Sequence, residues 1–89
     1  MAQICNISVD NDVILVDVFD GEHKDYLSCV FDKRIAKERT ALESIGYVVD
    51  TMRDVLERDL DKGEKRILVQ AISDRIHQWC DRKEKAWAK

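Results

Sequence analysis

The chain has 89 residues, 45% of them apolar and 37% charged, with a formal charge of −3. Such a length holds one domain with a modest core, and such a composition lies well outside the disordered regime. The small negative charge excludes a polyanionic mimic and argues against a general nucleic-acid binder, which is usually basic. No run of about 18 apolar residues is present to span a bilayer, so no membrane role is expected.

The net value hides an asymmetry. Residues 1–31 carry six acids and one Lys, whereas residues 63–89 carry four acids and seven Lys or Arg. An acidic front and a basic tail can pair head to tail, within one molecule or between two; solvated faces without a role are the plain alternative. With no Pro and three Gly the chain has few built-in breaks. Three Cys is an odd count, and MAQICNISVD has neither the basic nor the apolar stretch of a signal peptide. Free thiols and a cytoplasmic location are therefore expected.

In chain order, Gln3 to Val9 reads as a strand in which Cys5, Ile7 and Val9 alternate with Asn6 and Ser8. Asp10, Asn11 and Asp12 make a turn, since both residue types tolerate left-handed backbone. Val13 to Phe19, rich in β-branched residues, is the central strand. Ile14, Val16 and Val18 form its core face, and Val13, Leu15 and Phe19 share the other face with Asp17. A polar loop from Asp20 to Asp25 leads to a third strand, Tyr26 to Phe31. Leu27, Cys29 and Phe31 lie on one of its faces, and Tyr26, Ser28 and Val30 on the other. Short links predict an antiparallel meander in sequence order.

Asp32 could cap a helix that runs straight on to Leu60, but residues 33–39 are expected to be helical or a helical turn that projects beyond the core. Thr40 and Glu43 have the spacing of a capping box, which starts a helix running to Leu60. Ala41, Leu42, Ile45, Val48, Val49, Met52, Val55, Leu56 and Leu60 fall on its apolar arc, with Ser44 on the polar side. Gly63 is placed at the helix end, where left-handed backbone is needed. A second helix runs from about Glu64 to Ala86, with a face of Leu68, Ala71, Ile72, Ile76 and Trp79 flanked by Val69 and Cys80. A short link makes the two helices antiparallel neighbours. The predicted fold is a single α+β domain over residues 1–89: a three-stranded antiparallel meander, then two long antiparallel helices, with residues 86–89 frayed.

Chemistry-bearing motifs are weak. Cys5, Cys29, His77 and Cys80 are of the right kind for a zinc site but lack a Cys-x-x-Cys knuckle. His77 and Cys80 are neighbours on a helix, which fits a core thiol beside a surface imidazole as well as a nucleophile and its base. The paired carboxylates lie in turns, where turn chemistry explains them. No phosphate loop, nucleophile elbow or metalloprotease helix is present. The sequence therefore predicts no enzyme and no cofactor.

What remains is binding. A strand of six or seven residues spans about 20 Å, whereas helices of these lengths reach about 30 and 35 Å, so helix ends should overhang. Trp79 and Trp87 near the end of the second helix are candidate anchors for a protein partner or a second copy. The other reading has Trp79 in the core and Trp87 on a mobile tail. The acidic loops, Asp10, Asp12, Asp20, Glu22 and Asp25, form a second candidate surface. The expectation is a small protein-interaction or regulatory module, with homodimerisation through the sheet as a variant of it. The alternative is a nucleic-acid accessory protein using Lys33, Arg34, Lys37 and Arg39 together with Arg82, Lys83 and Lys85.

Overall fold

The computed structural model describes the backbone of residues 2–87 and the side chains of residues 2–80. Strands β1 (Ala2–Val9), β2 (Val13–Asp20) and β3 (Asp25–Asp32) form one antiparallel sheet in the order β1-β2-β3. A short 3-10 turn, Lys33–Ala36, leads into α1 (Ala41–Leu56), and α2 (Lys62–Trp87) follows. This is the α+β meander with two antiparallel helices read from the sequence. Cys80, late in α2, meets the Arg39 carbonyl just ahead of α1, while Glu64, early in α2, meets Arg58 just past its end.

The core lies between one face of the sheet and the two helices. Ile14, Val16 and Val18 bury fully from β2, joined by Phe31 from β3. The helices answer with Val48, Met52 and Leu56 from α1 and Leu68, Ile72, Ile76 and Trp79 from α2. α2 rests on β1 as well as on α1.

β1 departs from simple alternation. Its register against β2 shifts between Ile4 and Asn6, which leaves Cys5 unmatched. An extra residue resets the side-chain parity of a strand. Ala2 and Ile4 pack on the core before the bulge, Ile7 and Val9 after it. Cys5, expected to share a face with Ile7 and Val9, is instead exposed, its Sγ 3.4 Å from the Asp17 carbonyl.

The segment after β3 also differs from expectation. Asp32 caps the 3-10 turn by accepting the Arg34 N–H at 2.9 Å. The turn does not project: Ala36 is buried and Ile35 packs on the core. This rotates the buried stripe of α1. Ser44, expected on the polar side, is fully buried and donates its hydroxyl to the Thr40 carbonyl at 2.9 Å. Leu42, expected in the stripe, is 81% exposed.

Both helices start on capping boxes. Glu43 N–H donates to Thr40 Oγ1 at 3.1 Å and Thr40 N–H to Glu43 Oε1 at 3.2 Å, as the spacing predicts. Such a cap stabilises a helix start by about 1 kcal/mol. Asp61 and Glu64 repeat the arrangement at α2, with Glu64 N–H to Asp61 Oδ1 at 2.8 Å and Asp61 N–H to Glu64 Oε1 at 3.3 Å. The end of α1 is therefore earlier than expected. It closes at Glu57, left-handed at φ 57°, whose N–H reaches the Arg53 and Asp54 carbonyls. Gly63 lies inside the first turn of α2. Leu60 packs on the core from the link, which is why the apolar period runs past the helix.

Two tethers fix the helical layer to the sheet. Arg58 grips Glu64 with both terminal nitrogens, at 2.7 and 2.9 Å, and donates to the Ala2 carbonyl at 3.1 Å. Trp79 Nε1 donates to the Asn11 carbonyl in the β1–β2 turn at 2.9 Å. The 26 residues of α2 span about 39 Å at 1.5 Å each, against about 27 Å for eight-residue strands. The sheet ends at the Asn11 turn and α2 runs on to Trp87. Of the tail expected to fray, Ala86 and Trp87 continue the helix; residues 88–89 lie outside the described residues.

Candidate functional site

The five acids proposed as one surface are split between the two ends of the meander. Asp10 and Asp12 are exposed in the β1–β2 turn, which Asp10 N–H closes on the Val13 carbonyl at 2.8 Å. Asp20, Glu22 and Asp25 stand at the other end of β2, about 24 Å away by strand rise. There Asp20 accepts the Glu22 N–H at 3.0 Å and holds His23 Nδ1 at 2.8 Å. The hydrogen bond to His23 draws the Asp20 carboxyl below its ordinary range, and the same bond raises the His23 imidazole. Ligand-type atoms of Asp20, Glu22 and His23 lie within 4.8 Å of one another, and the turn's own hydrogen bonds account for that grouping.

Trp79 is 4% exposed and its N–H is engaged, so its indole serves the fold rather than the surface. The side chains of Trp87, Arg82, Lys83 and Lys85 lie outside the described residues.

The basic segment after β3 borders a cleft of about 450 Å³ between the end of β3, the 3-10 turn and α1. Within that segment Lys33, Arg34 and Lys37 are exposed and Arg39 is half-buried, and Arg34 and Arg39 line the cleft. Arg34 closes a two-pronged pair with Asp32, down to 2.7 Å, which holds the Asp32 carboxyl below its usual range. The Arg39 guanidinium lies 4.3 Å over the Tyr47 ring, and one nitrogen donates to the Ile35 carbonyl at 3.2 Å. Tyr47 in turn meets Phe31 edge-on, centroids 6.2 Å apart. Cys29 borders the cleft, and burial pushes its thiol up, which works against a thiolate nucleophile.

The cleft exists because the helices do not cover β3. Leu27 lies on the core side of the sheet, opposite buried Val18, yet is 54% exposed. On the outer face Tyr26 is 74% and Val30 61% exposed. One strand thus presents apolar side chains to solvent on both faces. The rest of the outer face is better knit. Asp17 at its centre accepts the Ser28 hydroxyl at 2.6 Å and the Asn6 amide at 3.4 Å. Phe19 packs against Tyr26 with centroids 4.8 Å apart.

The residues considered for zinc do not gather. Cys5 is at the β1 bulge, Cys29 on β3, Cys80 buried beside Arg39, and His77 exposed on α2. Among the described residues the grouping of metal-ligand types is Asp20, Glu22 and His23 alone. Sequence reasoning missed the Arg58 tether and the open β3. The first left no signal, because it ends on the Ala2 carbonyl, 56 residues away. The second was half visible in the alternation of YLSCVF, which has apolar residues on both faces. No helix among the described residues is long and apolar enough to cross a membrane. Comparison with family models, curated proteins and solved structures finds no match.

Proposed function

We propose that the chain is a non-enzymatic protein-binding module, regulatory rather than catalytic, that engages its partner along β3. The observation that carries this reading is the exposure of Tyr26, Leu27 and Val30 on both faces of a single edge strand. An edge strand with apolar flanks offers unpaired backbone groups for hydrogen bonding and side chains for selectivity. The test compares tagged wild type with a Tyr26→Ser, Val30→Lys double variant, each checked for folding by circular dichroism. A protein recovered in stoichiometric amount with wild type and lost with the variant supports the reading. Equal recovery removes β3 as the docking strand.

One observation favours nucleic-acid binding as a second reading. Cys80 Sγ lies 3.9 Å from the Arg39 carbonyl, so the basic segment 33–39 and the start of the basic stretch 82–85 share one end of the molecule. Binding of this kind would weaken steeply with salt. Labelled DNA or RNA shifted at low salt by wild type, and not by an Arg82, Lys83, Lys85 triple Ala variant, would support it; no shift at low salt removes it.

A further inference from the structure

The two edges of the sheet differ in how they meet a free strand. β1 carries the Cys5 bulge and lies under α2. Both features discourage pairing with another chain. β3 carries neither a bulge nor a Lys or Pro, and its register against β2 is unbroken over eight residues. From Tyr26 to Phe31 it has no charge.

We infer that β3 pairs antiparallel with β3 of a second copy about a two-fold axis through Ser28, so that two meanders join into one six-stranded sheet. This rests on the reading that β3 is the docking strand, and it commits the occupant. A two-fold axis normal to the sheet keeps outer face beside outer face, which restricts the register to steps of two residues. Centring on Ser28 sets Tyr26 opposite Val30 of the second copy, twice by symmetry. The two most exposed side chains of the strand then cover each other as aromatic and β-branched neighbours, a favourable cross-strand pair. The same register sets Leu27 opposite Cys29 on the helix side, and Asp25 opposite Phe31. The acids that bound the strand, Asp25 and Asp32, therefore do not meet. A shift of one step either way sets Val30 or Tyr26 opposite Ser28 and separates the aromatic from the valine. On the helix side, the cleft beside each β3 would open toward the cleft of the other copy.

Sedimentation velocity on the purified protein over a wide concentration range tests the association. Wild type should pass from monomer to dimer, and Val30→Lys should weaken the dimer by about tenfold or more, since one good contact counts for about a decade in affinity. The register is read by oxidation and non-reducing electrophoresis, with wild type as the background. Facing residues of antiparallel strands have Cα atoms about 4.5–5.5 Å apart, within disulfide range. Ser28→Cys should therefore form a covalent dimer. Val30→Cys should not, because its two copies would be separated by about 13 Å along the strands. If Ser28→Cys fails to fold without its bond to Asp17, Leu27→Cys should crosslink to native Cys29 of the second copy. The inference is overturned by a wild type that stays monomeric, by a dimer indifferent to Val30→Lys, or by crosslinking of Val30→Cys as readily as of the centred cysteine. A monomer that still captures a β3-dependent partner overturns the dimer and leaves the binding reading standing.

Discussion

The β1 side and the β3 side of this small sheet have the same strand length and opposite fates. β1 is pinned at one end by Arg58 to the Ala2 carbonyl, and the turn after it is pinned by Trp79 at Asn11. α2 covers it and a bulge interrupts its register with β2. β3 is regular, and its Leu27, Tyr26 and Val30 stay in solvent. Two helices with narrow apolar stripes cannot cover three strands evenly. Placing α2 over β1 completes the core around Leu68, Ile72 and Ile76 and leaves the far strand partly bare. Stability is thus concentrated on one side of the molecule and exposed apolar surface on the other.

That division is most directly broken by substitution. Ile72→Ala, at a fully buried position of α2, should lower unfolding stability by about 2–5 kcal/mol in urea titration. A loss under 1 kcal/mol would mean that the α2 side is not where stability resides. Arg58→Ala should cost about 1–3 kcal/mol by the same measurement, because charged hydrogen bonds to Glu64 and Ala2 are lost together. This effect should depend on pH. The Arg58 hydrogen bond holds the Glu64 carboxyl below its ordinary value of 4.5. A lowered carboxylate stabilises the fold above its unfolded value and loses that contribution as pH falls through the folded one. The gap between wild type and Arg58→Ala should therefore be full near pH 7 and narrow below about 4.5. Trp79→Phe keeps an aromatic ring, removes the donor to Asn11 and leaves a small void, for about 1–3 kcal/mol. Smallest is Leu27→Ala on the open side, within about 0.5 kcal/mol in dilute protein. A larger loss there would show that β3 is more enclosed than its exposure implies.

The α+β order, the Ile14–Val16–Val18 face and the α2 stripe were all legible, because period and β-branching act locally. The misreadings came from tertiary contacts that override local pattern. Cys5 fits an alternation that its bulge then breaks. Ser44 looks polar but sits where Ile35 and Ala36 fold back, and it meets burial by bonding its own helix. Leu60 continues the helical period from a link that is not helical. Gly63 reads as a helix end, but Asp61 and Glu64 hold a capping box across it. For the candidate site, the residue types were visible but their neighbours were not. The meander itself sets Asp10 and Asp20 at opposite ends of the central strand, but nothing in the sequence tells that Trp79 is engaged by a turn 68 residues away.

That last separation has a kinetic consequence. The contact closing the α2 end of the core joins Trp79 to Asn11, and the one closing the other end joins Arg58 to Ala2, 56 residues apart. Such closures lose chain entropy before any reward arrives, which slows folding. A ribosome releases the meander before α2. Until α2 emerges, the inner faces of β1 and β2 have only α1 and the turn beside it for cover. Closing the core therefore waits on α2, and until then the inner face of the sheet is the surface most open to misassociation.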